Sequence, residues 1–474
     1  MRQIILILLF VFPIFLTAQH QELHEKTTLW KTKKEHAESD SSTLFSAFHH
    51  GTFHGHFRNY FMATDNESNL SDYYAWALGG GIKYETGSLR NFKFGMSGFV
   101  VFNVHSSNLE DRDPISNQMN RYELGLFDIE DPSNRNDIDR LEELYIKYEK
   151  EKFHLTIGRQ LINETFINLQ DGRMRPTEVQ GVTCDYLPSK KVKLSLGVLD
   201  EISPRSTVRW YRIGESIGVY ASGVSADGRP SDYHHNIRSE YVAYGTVQAN
   251  ITPSLKIKAT EQYVDRLFNT GFLQADLAIY KDSVQSLSIS GQTVRQDELG
   301  AEGYQHQDEG RYMEKNAKAW TFGGRITYRF RRNEWSLNYN RITAHGRYLM
   351  PREWGRDPFF TFLPRERNEG LGDVHASMVK YMYTSRNKHL KTSVAVGNYQ
   401  LPDVLNTVLN KYGLPSYFQF LTDILYEFEG KLKGFDAQLL YTYKLNAGET
   451  YDNPRFVINK VNVHLLNVVI NYHF

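Results

Sequence analysis

Apolar and polar residues alternate with a period of two through most of this chain. The final stretch shows it most cleanly. Leu466, Val468, Ile470, Tyr472 and Phe474 form one row, and Leu465, Asn467, Val469, Asn471 and His473 form the other, increasingly polar toward the end. A period of two is that of a β-strand, whose successive side chains point to opposite faces. Eighteen amphipathic runs of this kind predict strands with cores at 52–63, 74–85, 92–103, 140–149, 153–162, 178–187, 191–200, 238–251, 255–264, 271–281, 284–293, 317–330, 334–344, 373–383, 389–399, 417–428, 434–444 and 462–474. The connections alternate too. Every second one is tight, as in T-G-S-L-R-N (86–91), E-K-E (149–151), P-S-K (188–190) and E-G-K-L-K (429–433). The others include 105–139, 201–237, 294–316 and 345–372, which are long and rich in Asp, Arg, Gly and Pro. An even number of strands with alternating short and long turns predicts an all-β fold, a transmembrane antiparallel β-barrel. Eighteen strands are expected, or sixteen if the hairpin at 271–293, the weakest pattern, is set aside. Either number encloses an aqueous channel.

The N-terminus predicts export. Met1-Arg2-Gln3 is a short positive segment, Ile4 to Phe15 is almost unbroken apolar sequence, and Leu16-Thr17-Ala18 offers a small-residue cleavage site. Residues 1–18 therefore read as a signal peptide, 19–42 as a flexible polar periplasmic lead-in, and 43–474 as the barrel. No other apolar run approaches a transmembrane helix, so a closed barrel is the form in which this chain can satisfy its backbone in lipid. The alternating strand that ends on Phe474 is similar to the closing strand of bacterial outer-membrane barrels. That likeness implies the outer membrane of a Gram-negative bacterium, with the barrel-assembly machinery as a partner.

Composition agrees with a barrel. Aromatics are 14% and hydrophobic residues 41%, as a lipid-facing wall around a polar lumen requires. One cysteine, Cys184, excludes an intramolecular disulfide, and its parity with Val182 and Tyr186 turns it toward lipid. Lys+Arg and Asp+Glu both number 55, so no global charge bias points to nucleic acid.

Parity assigns the charges. Trp320, Phe322, Ile326, Tyr328 and Phe330 share one face of their strand, and Arg325 and Arg329 lie on the other. An arginine facing lipid near the midplane costs roughly 2–4 kcal/mol, so the basic face is the lumen side. The same reasoning turns Arg58, Lys193, Arg238, Lys256 and Lys258 inward as a basic track, with Lys147, Lys380 and Lys444. It also turns in the acids Glu143, Glu240, Asp423 and Asp436, so the inward charges either conduct anions or pair with one another. The connection N-E-T-F-I-N-L-Q-D-G-R-M-R-P-T (163–177) stands apart because it carries Phe166, Ile167, Leu169 and Met174. A loop with its own apolar anchors is expected to fold against the inner wall, which would put Glu164, Asp171, Arg173 and Arg175 at a constriction.

G-R-Q (158–160), D-G-R-M-R-P (171–176) and E-V-Q-G-V (178–182) resemble the third-loop region of OprD-type porins. The opening strand G-T-F-H-G-H-F-R-N-Y-F (51–61) and P-R-E-W-G-R-D-P-F-F-T-F-L-P-R-E-R-N-E-G (351–370) are similar to that family's first strand and to an external segment before a late strand. The resemblance implies an eighteen-stranded, substrate-selective porin with its third loop folded inward, passing small polar, carboxylate-bearing solutes by diffusion. It implies no cofactor and leaves a monomer or a trimer open. Arg159 departs from the pattern, since it shares parity with Phe153, Leu155 and Ile157.

Two other chemistries have candidate residues in the sequence. His49, His50, His54 and His56 suggest metal, but alternation divides them, and strand residues two apart lie about 6.6 Å from each other. With Arg58 alongside, polar lumen lining is the better reading, and no metal site is expected. An enzymatic barrel would need a converging set, for which Asp373, His375 and Ser377 are the only local grouping. A surface adhesion or scaffold barrel is the third class, and it has no use for an apolar inward loop.

Overall fold

The structure is a computed structural model that describes residues 29–30, 41–169, 172–220, 223–306 and 310–474. The signal-peptide reading, Asp171 and most of the lead-in lie outside the described residues. Eighteen strands form the wall. In chain order they are β1 (Thr52–Asp65), β2 (Tyr73–Glu85), β3 (Phe92–Ser106), β4 (Ile138–Lys150), β5 (Phe153–Gln160), β6 (Glu178–Ser189) and β7 (Val192–Ser203). The two-residue β8 (Tyr211–Arg212) only borders the end of β7. The wall continues with β9 (Val242–Asn250), β10 (Leu255–Val264), β11 (Phe268–Lys281), β12 (Gln285–Glu298), β13 (Lys318–Phe330) and β14 (Asn333–Ile342). It ends with β15 (Val374–Thr384), β16 (Leu390–Gln400), β17 (Tyr417–Glu427), β18 (Phe435–Asn446) and β19 (Val463–His473). The sixteen-strand alternative falls away, because the doubtful hairpin is β11 and β12, one of the longest pairs in the wall.

Closure is antiparallel, between β1 and β19, with Arg58 opposite Asn471 and Met62 opposite Asn467. Among the described residues it leaves no open edge in the eighteen-strand wall, and a backbone buried in lipid requires that. Gly55 donates to the Phe474 carbonyl at 3.0 Å, and the Phe474 ring lies over it. A Cβ on Gly55 would meet that ring at 1.9 Å, so the seam needs glycine there. The register expected for the last strand holds: Leu466, Val468, Ile470 and Tyr472 turn outward, and Asn467, Asn471 and His473 are buried on the lumen side.

The exterior is apolar. Leu196, Val379, Val394, Ile326 and Ile470 are exposed there, Leu196 at 57%. Apolar surface continuous around a barrel suits hydrocarbon rather than water. Cys184 pairs across the sheet with Leu196 and shares this outward parity.

Parity breaks at one informative place. Between Met96, opposite Leu144, and Gly98, opposite Leu141, β4 carries one extra residue. This β-bulge sets Glu142 and Glu143 against the single Ser97, and both carboxylates turn inward, 0% and 3% exposed. Strict alternation would have sent one of them into lipid. At the short-turn end, a helix α1 (Leu44–His49) docks on the 86–91 turn through Gly87, which donates to the Ala47 carbonyl at 2.8 Å. Within the lead-in expected over 19–42, Trp30 is among the described residues. Its indole donates to Glu143 at 2.8 Å inside the barrel, because a large apolar ring and a buried carboxylate satisfy each other there.

Lipid-facing placement of Leu196 predicts that Leu196→Arg destabilises the folded barrel by roughly 2–4 kcal/mol while Leu196→Phe does not. Equilibrium unfolding from lipid vesicles in urea measures the difference.

Candidate functional site

The long connections do not stand clear of the barrel. The described residues of loop 163–177 turn into the interior and reach from β5 and β6 to the inner faces of β9, β10 and β11. Thr165 bonds to Thr260 at 2.7 Å, Glu164 accepts from Thr246 at 2.8 Å, and Phe166 meets Phe272 edge to face at 6.2 Å. Ile167 packs with Val179, Leu199, Val242 and Val264 in one apolar cluster. The apolar residues of this loop are what hold it, at about 1.5–3 kcal/mol for each fully buried side chain.

A second connection, between β14 and β15, enters more deeply. Within 351–370, Thr361, Leu363 and Asn368 are fully buried. Leu363 packs on Met378, Ala395, Leu421 and Leu440, which face inward from β15 to β18. Tyr399 donates to the Thr361 carbonyl at 2.7 Å, and Gln419 to that of Pro364 at 2.5 Å. The two loops grip one another: Trp354 accepts at its carbonyl from Asn168 N–H at 3.1 Å, and Thr177 donates to the Glu353 carbonyl at 2.6 Å. The segment read from sequence as external is therefore an interior one. The cause is its run Phe359-Phe360-Thr361-Phe362-Leu363, which finds an apolar strip on the inner wall.

Between these loops and those after β3, β7, β16 and β18 lies a cavity of ≈ 1020 Å³. Among the described residues its lining holds eleven Arg and Lys side chains against three carboxylates, Asp357, Glu366 and Glu369. Tyr412 is its focus. Arg367, Lys411 and Arg352 stand 4.3, 5.5 and 5.9 Å from the Tyr412 ring centroid, and the hydroxyl donates to Glu369 at 2.8 Å. Burial first, and crowding of like charges second, shift the groups of this cavity. Burial, with Arg121 and Arg367 beside it, brings Lys460 down to about 7. Burial and the neighbouring Arg121 and Arg352 lower Arg367 to about 9. Burial, and then the Glu369 carboxylate, raises Asp357 to about 7.

Of the four residues expected at a constriction, the three that are described separate. Arg175 is held by Glu142, over the Phe99 ring at 4.3 Å, on the β1–β4 side. Arg140 joins the same carboxylate at 3.2 Å. Arg173 lines the cavity, in the left-handed region at φ 49°. Glu164 is at the β9–β10 wall, where burial raises its carboxyl above the usual range. Asp171 lies outside the described residues.

Much of the basic track is paired. Arg325 meets Asp276 at 3.4 Å and Lys193 meets Asp185 at 2.8 Å, while Arg329 pairs with Glu334. Arg58 donates to Asn471 at 2.9 Å, and Lys258 lies 5.9 Å from the Phe272 ring centroid. Lys256 shares the inward parity of Lys258 on β10. Arg238 leaves the track altogether. It is exposed in the loop before β9, because the strand begins at Val242 rather than at 238, and Glu240 goes with it to face Arg266 at 3.5 Å. Arg159 keeps its outward parity, its guanidinium 4.4 Å from the Trp210 ring centroid.

The other constellations do not assemble. His56 is buried, stacked on His473 at 4.5 Å, while His49 and His50 sit at the end of α1. His375 faces outward and bonds Tyr339 at 2.7 Å, and Asp373 pairs with Arg341.

No family model and no curated protein matches the chain. Solved structures do. Pseudomonas aeruginosa OccD3 (OpdP) superposes with a TM-score of 0.67 at 12% identity, over 96% of this chain and 96% of that one. P. aeruginosa OpdK, crystallised with vanillate, gives 0.67 at 13%, over 90% and 99%. Acinetobacter baumannii OccAB4 gives 0.64 at 15%, over 92% and 99%. The chain has the fold of the OprD/Occ porins. At these identities the Occ likeness establishes architecture, and what the lumen does rests on the residues above. The Occ resemblance expected from the loop and strand motifs is thus met at the level of the barrel.

Glu142 is the counter-charge for two buried guanidinium groups. Glu142→Ala is predicted to destabilise the barrel by about 3–5 kcal/mol, and Lys281→Gln, exposed at the end of β11, by less than about 1 kcal/mol. Urea unfolding midpoints of the two variants test the contrast.

Proposed function

We propose that this protein is an outer-membrane porin through which small polar anions, carboxylate-bearing solutes among them, diffuse without energy input. The single observation that carries the reading is the cavity lining. Its cations outnumber its carboxylates, and it lies among the long loops, where a solute entering from outside would meet it. A water-filled entry lined by one sign of charge concentrates its counter-ion and excludes the other. Guanidinium groups suit carboxylates in particular, since their paired N–H donors match two carboxylate oxygens. OpdK, with the same fold, was crystallised with vanillate, an aromatic carboxylate, and the Arg and Tyr lining here fits that chemistry. Loops 161–177 and 343–373 together form the narrowing. Outer-membrane lipid surrounds the wall, and the closing strand ending at Phe474 is the segment presented for barrel assembly.

Planar-bilayer recording in a KCl gradient tests this. Chloride is expected to set the reversal potential, and Arg352→Glu with Arg367→Glu is expected to move it toward the potassium value. A folded protein without conductance overturns the porin reading.

The sign of the pH dependence follows from Lys460 and Asp357, and Lys411, which burial brings down to about 8, acts in the same direction. Below pH 7 Lys460 holds its proton and Asp357 becomes neutral, and both changes make the cavity more positive. Chloride selectivity is therefore predicted to rise between pH 8 and pH 6, and Lys460→Gln with Asp357→Asn to flatten the dependence.

A further inference from the structure

The arrangement around Tyr412 says more than that anions are welcome. Three cations surround one ring, and Glu369, the carboxylate nearest that ring, is held by the Tyr412 hydroxyl. A solute with one carboxylate engages one guanidinium bidentately and leaves the remaining charge of the site uncompensated. We infer that this cavity is a binding site for solutes carrying two or more anionic groups, such as small polycarboxylates, and that Arg352, Arg367 and Lys411 hold them together. The inference deepens the anion-channel reading in its substrate class, and the binding it describes does not depend on conductance.

Three features support it. The volume, ≈ 1020 Å³, exceeds what a simple monocarboxylate fills and lies at the upper end of ordinary small-molecule sites. The cations come from different loops, Arg352 and Arg367 from 343–373 and Lys411 from 401–416, so they converge from more than one side. Their positions are also set by neighbours: Lys411 donates to the Tyr233 hydroxyl at 3.0 Å, and Arg367 lies over Tyr412. Cations held in place before the ligand arrives lose little freedom on binding. Arg121, Arg352 and Arg367 also lie close enough to act on one another: after burial, Arg121 and Arg352 lower Arg367, and Arg121 and Arg367 lower Lys460.

The test is calorimetric titration of the full folded chain in detergent at fixed ionic strength. The probes are tricarballylate, with three carboxylates, and butyrate, with one. Tricarballylate is expected to bind at least tenfold more tightly, and Arg352→Gln with Arg367→Gln to remove most of that gap. Lys391→Gln, at the opposite end of the barrel, should leave the gap unchanged. Equal affinities for the two probes, or no binding of tricarballylate, overturn the inference from the wild-type protein alone. So does a gap that the double variant leaves intact. If the gap is present while bilayers show no conductance, the site stands and the porin reading falls.

Discussion

Backbone pairing in lipid is the constraint from which the rest of this structure follows. A strand edge left open in hydrocarbon costs several kcal/mol for each unpaired group, and the chain meets the demand by joining β19 to β1. Closure divides every strand into a lipid face and a lumen face. It forces the many Arg, Lys, Asp and Glu of the wall into a shared interior, where they pair across neighbouring strands, as Arg325 does with Asp276 and Lys193 with Asp185. The bulge at Glu142 and Glu143 is the same constraint acting locally, since it turns two consecutive carboxylates inward and supplies the partner that Arg140 and Arg175 need.

The interior is not uniformly polar, and this shapes the pore. Met378, Ala395, Leu421 and Leu440 form an apolar strip on the inner wall, and Leu363 with its neighbours covers it. The charged residues flanking that anchor, Arg352 to Glu369, are carried in with it. Apolar packing thus positions a dense group of cations that would repel one another in an untethered loop. Selectivity in this account is borne by loops, and the wall is close to charge-balanced where its ion pairs form.

Strand number, register and face were legible because alternation is enforced twice, by lipid outside and by water inside. The last strand could be oriented residue by residue for that reason. Alternation failed where the backbone departs from it, as at Glu142, or where a strand is shorter than its pattern, as at Arg238. The packing residues of loop 163–177 were readable in Phe166, Ile167 and Met174, which are buried. The same signal was present in Phe359 to Leu363 and predicted nothing there, since a resemblance had already assigned that segment to the outside. The convergence of Arg352, Arg367, Lys411 and Tyr412 depends on contacts between loops distant in sequence, and no local pattern records such contacts.

The central claim is that the inserted segment both narrows the pore and makes it anion-selective. Replacing residues 357–366 by a short Gly-Ser linker, with heat-modifiable gel mobility as the check on folding, and recording single channels tests it most directly. The account predicts a larger conductance and a reversal potential near zero in a KCl gradient. Unchanged conductance and unchanged chloride preference from the folded variant would contradict it.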